Sequence, residues 1–196
     1  YNNGSPAQAL KIMQQNWTGE RLANSGYKTM LLSSIYDWMG NNQESFKQFK
    51  LAIRSCNQQQ ELKYQLYKRY SMYIDFRLPE CQEKMQRAAN YYRTKQRKQY
   101  AECMHNLGTG YVMIGHHDKG RKCLEESKKT LEKICDSEIY YPINSMAISV
   151  CHDSQAFGDA IKLWEQALQH EIPVDFCRIA LKNNLMNAYI HQSQWE

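Results

Sequence analysis

Two clusters carry residue types that bind metals: His116 and His117 near Cys123, and Cys151 beside His152. Imidazole nitrogens and thiolates are zinc donors, but a structural zinc site draws on two closely spaced ligand pairs that converge. No Cys-x-x-Cys is present, and the spacing predicts packing positions for these residues rather than ligand positions. Neither a metal nor a cofactor is expected. The sequence also lacks a glycine-rich phosphate loop, a Gly-x-Ser-x-Gly elbow and a His-Glu-x-x-His pair, so no catalysis is expected.

Two further runs have chemistry of another kind. Tyr64, Tyr67, Tyr70 and Tyr73 are interleaved with Lys63, Lys68 and Arg69. A three-residue step drifts by about 60° per residue around a helix, so the four rings cannot share one face. Some must pack against neighbouring helices, while one or two could line a groove and grip a peptide. The stretch YYRTKQRKQY, with Arg93, Lys95, Arg97 and Lys98 among Tyr91, Tyr92 and Tyr100, mixes cations that neutralise phosphates with rings that stack on bases. It straddles a link between repeats, where a solvated charged turn is expected.

Charge is unevenly divided. Residues 1–100 hold 16 Lys/Arg against 7 Asp/Glu, whereas residues 101–196 hold 9 against 13. The first part can attract an acidic partner and the second cannot do so by net charge. With half the chain acidic, nucleic acid is disfavoured as the partner. Seven cysteines, odd in number and without close pairing, suit small buried side chains in a reducing compartment better than a disulfide framework. No segment approaches the roughly 20 apolar residues that span a bilayer. A cytoplasmic protein without membrane contact is the expectation.

The elements that must position these residues follow from a repeat. Ala9, Ser45, Cys81, Gly120 and Ala160 recur at intervals of 36, 36, 39 and 40 residues, and each precedes by four a large apolar residue: Met13, Phe49, Met85, Leu124 or Trp164. Residues four apart lie on one face of a helix. Four Pro in the whole chain leave long stretches free to be helical. The pattern predicts helices near 5–15, 26–39, 43–57, 60–75, 79–94, 98–114, 117–135, 139–152, 156–170 and 174–191. In residues 101–134, Leu107 and Tyr111 lie one turn apart, Gly108 admits a close second helix, and Gly115 suits the turn between helices. Residues 62–94 fit least well. Lys68 and Arg69 fall where a Leu-Gly pair is expected, and an alternative register places Leu66, Tyr67 and Tyr70 there.

Leu107-Gly108, Tyr111, Gly115, Gly120, Leu124 and Ser127 together resemble the tetratricopeptide repeat signature, and the scheme recurs five times. The resemblance implies an all-α, right-handed superhelix of antiparallel helix hairpins, about five repeats in one array over 1–196, with partial repeats at 1–16 and 179–196. Tyr1 opens in mid-pattern and Trp195-Glu196 stops where another helix is expected, so the chain reads as a segment of a longer protein. Two departures matter. The usual Pro at the end of each unit is replaced by Asn57, Arg93, Glu132 or Ile172, and the spacing exceeds the usual figure of about 34 residues. Long repeats of this kind resemble the sensor arrays of signal-transducing NTPases and of peptide-responsive regulators.

In tetratricopeptide arrays the first helix of each hairpin lines the concave face. Carried onto this chain, that implies a peptide-binding wall of His105, Thr109, Ser145, Ser149, Asn183 and Asn187, with Met30 and Ser34, and with His152 beside the helix ends. Lys63 and Tyr70 join them in the first register of the weak repeat. Asn, Ser and Thr can pair with the amides of an extended peptide. The function expected is a protein- or peptide-binding module without catalysis, a ligand-sensing or regulatory segment restraining an effector domain outside it. An assembly scaffold that self-associates and a nucleic-acid binder using the basic first half are the alternatives.

Overall fold

A computed structural model of the chain describes residues 5–16, 26–56 and 59–193. Its contacts divide the chain, expected as one array over 1–196, into two compact units, Tyr1–Tyr73 and Ile74–Glu196. Among the described residues all regular structure is helical. The first unit holds α1 (Pro6–Asn16), α2 (Gly26–Trp38), α3 (Asn42–Ser55) and α4 (Gln60–Lys68). The second holds α5 (Pro79–Tyr92), α6 (Arg97–Met113), α7 (His117–Lys133), α8 (Tyr140–Ser154), α9 (Phe157–Leu168) and α10 (Asp175–Ser193). Within each unit consecutive helices pack on one another, giving an all-α helical-repeat architecture.

The repeated small and large residues are the reason. Ser45, Phe49 and Ala52 on α3, Gly120, Leu124 and Ser127 on α7, and Ala160, Trp164 and Ala167 on α9 are all buried. Steps of four and seven residues keep the three side chains of each set on one helix face. The small residue sets how closely the hairpin closes. A Cβ on Gly120 would stand 2.6 Å from Val112 Cγ2 and 2.9 Å from the Gly108 carbonyl oxygen, and one on Gly108 would stand 2.7 Å from Leu124 Cγ. Where a serine occupies the interface, its hydroxyl binds the facing backbone. Ser45 Oγ donates to the Ser33 carbonyl and Ser127 Oγ to the Ala101 carbonyl, each at 2.8 Å.

The turn within each hairpin repeats too. Gly40 and Gly115 adopt left-handed backbone, with φ of 73° and 81°, and Gln155 does so at 51°. Each lies five residues before the small residue of its repeat. Asn41 then caps α3 by accepting the Glu44 N–H at 3.2 Å, whereas Ala156, at the same place before α9, has no capping side chain. The third turn therefore lacks both devices that suit the first. Left-handed backbone costs a non-glycine residue about 1–2 kcal/mol, and a missing N-cap about 1 kcal/mol. The double substitution Gln155→Gly with Ala156→Asn is expected to raise stability by about 1–3 kcal/mol, read from thermal unfolding. An unchanged or lower midpoint would count against this account of the turn.

Helix ends agree with the sequence pattern to within two residues except at 60–75, where α4 stops at Lys68 and a 3-10 turn spans Tyr70–Met72. Tyrosine packing explains the departure. The Tyr70 and Tyr73 rings both lie against Phe49, with centroids 5.7 and 4.2 Å away. The Tyr73 hydroxyl meets Ser33 Oγ at 2.8 Å and Ser45 Oγ at 3.3 Å. Uninterrupted helix would swing these two rings about 60° apart. Leu66, Tyr67 and Tyr70 are buried, so the alternative register is the one adopted.

All seven thiols are free, and Cys56, Cys81 and Cys103 are buried. Desolvation pushes the Cys81 thiol up to about 11, and burial also raises Cys123 and Cys151. These three are poor nucleophiles at neutral pH, because only the thiolate reacts. Among the described residues, no helix is long and apolar enough to cross a membrane.

Candidate functional site

Helices α6, α8 and α10, the first members of their hairpins, line two adjoining clefts in the 74–196 unit. One, of about 450 Å³, is bounded by Thr109, Val112 and Met113 of α6, by Gly115 and His117 at the turn, and by Ser145, Ile148 and His152 of α8. The other, of about 460 Å³, runs from Ile148, Cys151 and His152 to Asn184, Asn187, Ala188 and His191 of α10, with Phe157 and Trp164 also lining it. Ile148 and His152 belong to both clefts. The α10 residues recur at steps of three, four and seven, so a single helical stripe faces the cavity.

Polar side chains link neighbouring repeats at equivalent positions. His105 Nε2 lies 2.9 Å from Ser145 Oγ, exactly forty residues on in sequence, with Thr109 Oγ1 3.5 Å from both. Asn144 Oδ1 accepts from Asn184 Nδ2 at 3.2 Å, again forty residues away, and from Trp164 Nε1 at 2.7 Å. These bonds hold the cleft walls in fixed rotamers, the pre-organisation that makes binding less costly in entropy. At the edge, Arg121 donates to Asp153 of α8 and to Asp118 at 2.7 Å each. The guanidinium beside Asp153 holds its carboxyl below the usual range.

The Ser145–His105 contact has the outline of a nucleophile and its base, but its chemistry is unfavourable. Dense packing around the imidazole pushes its pKa down to about 4, against the smaller upward pulls of Asn106 and Glu102. A group that releases its proton so readily is a feeble base at neutral pH. Among the described residues, no three His, Cys, Asp or Glu side chains come together to hold a metal. His116 stacks on Tyr111 at 6.4 Å, and His117 Nδ1 lies 3.4 Å from Ser149 Oγ.

The sequence-derived wall is redistributed. Thr109, Ser145, His152 and Asn187 line the clefts, and His105 stands behind them through its bond to Ser145. Ser149 is fully buried and supports His117 from within instead of facing a ligand. Asn183 is exposed and lines neither cleft, whereas its neighbour Asn184 lines the second. Tyr70 is corrected to a core residue, wedged between Phe49 and Tyr67. Lys63 lies along the Tyr67 ring at 5.7 Å, and Ser34 donates to the Met30 carbonyl and accepts from Arg69. These last four lie in the other unit.

The repeat pattern marks Trp164 only as a packing residue, and it does not mark Asn184 or Ile148 as groove residues, although the forty-residue offset between Asn144 and Asn184 is a usable signal. The basic run is partly engaged as well. Lys98 pairs with Asp136 and Glu138 at 3.1 Å, Lys95 lies 3.9 Å over the Tyr91 ring, and Tyr92 is buried.

Stacked helix hairpins whose first helices share a lined groove define a helical-repeat protein. The chain is similar in fold to BtubC (BKLC) from P. vanneervenii, whose crystal structure it matches with a TM-score of 0.65 at 13% identity, over 96% of this chain and 80% of that one. No family model matches the sequence, and no curated protein does.

Proposed function

We propose that this chain is a tetratricopeptide-like module that binds a protein or peptide segment in the groove of its 74–196 unit, without catalysis of its own. The observation that carries the reading is the pair of adjoining clefts joined at Ile148 and His152. Together they offer apolar contact from Met113, Ile148, Phe157 and Trp164 beside hydrogen-bonding groups on Asn184, Asn187, Thr109 and Ser145. Met113 is 80% exposed at the rim, an apolar contact awaiting a partner. An extended peptide suits this pattern, with side chains in the clefts and backbone amides on the asparagines. Such a module would serve as a ligand-sensing or regulatory segment of a larger cytoplasmic protein.

Selection of random displayed dodecapeptides against the chain is expected to enrich a consensus. Ile148→Glu, which sets a carboxylate between the clefts, should weaken binding of the selected peptides at least about tenfold, about 1.4 kcal/mol. Lys129→Ala, at an exposed position of α7, should leave it unchanged. No enrichment, or equal binding to Ile148→Glu, would sink the groove reading.

A further inference from the structure

All six histidines fall in the second half of the sequence, at 105, 116, 117, 152, 170 and 191. Three of them line the groove: His117 and His152 bound the first cleft, and His152 and His191 the second. His117 opens α7, and His152 stands in the last turn of α8. None of the described residues that line either cleft is Lys, Arg, Asp or Glu, so the imidazoles are the groups that can give the groove a charge. Beside His117 and close to His152, a recess of about 290 Å³ adds His116, Asp118, Lys119 and Asp153. Arg121 binds both of those carboxylates at 2.7 Å, and Lys119 lies 4.1 Å over the Tyr111 ring. From α6, His105 stays neutral down to about pH 4 because burial disfavours its charge. On α8, burial raises the Cys151 thiol, which keeps it protonated. On α9, Asp159 pairs with Lys162 at 3.0 Å, and Glu165 accepts from the Tyr189 hydroxyl at 2.6 Å. From α10, the His191 ring stacks on Phe157 at 5.2 Å.

We propose that the groove selects a peptide segment bearing Asp or Glu side chains, held by His117 and His152 as imidazolium groups, and that its grip tightens as pH falls. This rests on the peptide-groove reading and adds the charge of the ligand to it. Imidazole is the side chain that ordinarily changes charge between pH 5 and 8. Once charged, it gives a carboxylate a charge-assisted hydrogen bond, roughly twice as strong as the bond a neutral ring can donate. Net charge acts in the same sense. Residues 101–196 hold 9 Lys/Arg against 13 Asp/Glu, a balance of −4 that repels an acidic segment while the imidazoles are neutral. Full protonation of the five histidines other than His105 turns it to +1. His152 carries the larger share, because it is exposed and belongs to both clefts. His117 is half-buried, and with Nδ1 facing Ser149 Oγ at 3.4 Å its Nε2 is the nitrogen left for a ligand.

Random displayed dodecapeptides selected against the chain at pH 5.5 are expected to be richer in Asp and Glu than those selected at pH 7.5. Moved to pH 7.5, the first set should bind about tenfold more weakly, the span over which an ordinary histidine loses most of its charge. Peptides with each Asp and Glu replaced by Asn and Gln should show no such dependence. His152→Arg is charged at both pH values. At pH 7.5, where His105 is neutral and the fold is undisturbed, it should bind the acidic peptides at least about threefold more tightly than the unaltered chain. Peptides that enrich at both pH values and are lost with Ile148→Glu, yet carry no excess of Asp and Glu or bind equally at both, would overturn this inference and leave the groove reading standing. A His152→Arg chain that binds the acidic peptides no more tightly at pH 7.5 would also overturn it. No enrichment at either pH would overturn both.

Discussion

Trp164→Ala is expected to cost about 3–5 kcal/mol, the range for truncating a buried tryptophan. Trp164 is 4% exposed and is the large member of the small-and-large pair on α9. It lies between α9 and α8, and its indole N–H is bound to Asn144 Oδ1 at 2.7 Å. Truncation would open a cavity beside the groove and remove that bond together with the dispersion contacts of the ring. Trp164→Phe separates the two losses. Asn144 Oδ1 still accepts from Asn184, so no buried acceptor is orphaned, and a cost of about 1–2 kcal/mol is expected. Urea unfolding followed by circular dichroism measures both. Whole domains are stable by only about 5–15 kcal/mol, so the milder variant keeps the comparison readable if the Ala chain unfolds. A loss under about 1 kcal/mol for Trp164→Ala would show that this residue is not a core anchor.

Acid should weaken the protein through His105 well before carboxylates titrate. In the folded chain, packing pushes its pKa down to about 4, whereas the unfolded chain protonates it near the ordinary value of about 6.5. The unfolded state therefore binds the proton first as pH falls. Stability present above about pH 6.5 is lost progressively down to about pH 4, where the folded imidazole also charges. Between pH 7.5 and 5 the loss is expected to be about 2 kcal/mol. His105→Gln cannot titrate but can still bond Ser145, so its unfolding free energy should be flatter over this window. The lowered carboxyls of Asp136 and Asp153 act in the same direction at lower pH, and the comparison of variants removes their share. Equal slopes for the two proteins would contradict a neutral, desolvated His105.

The groove was partly legible before any coordinates. His105 and Ser145 both belong to the wall that the tetratricopeptide resemblance implies, and their contact at 2.9 Å follows from a shared position in successive repeats. On α10 the expected Asn187 lines the cleft, but Asn184 stands there in place of the expected Asn183. Asn183 and Asn184 are adjacent and identical in type, so composition cannot tell which one faces the cavity. Only the packing of Leu181 and Ala188, the buried pair on α10, sets the rotation.

The same division holds across the chain. Helix positions, hairpin turns and the close approach at Gly108 and Gly120 are local, periodic properties, fixed by apolar spacing, glycine conformation and side-chain size. These the sequence determined by itself. The end of α4 at Lys68, the burial of Tyr70 and Ser149 and the depressed pKa of His105 were decided only by tertiary structure. Each depends on what lies against a residue from elsewhere in the chain: Phe49 against Tyr70 and Tyr73, His117 against Ser149, and Ser145 and Tyr141 against His105. Periodicity assigns a residue to a face of its helix, while packing decides whether that face meets protein, water or another molecule.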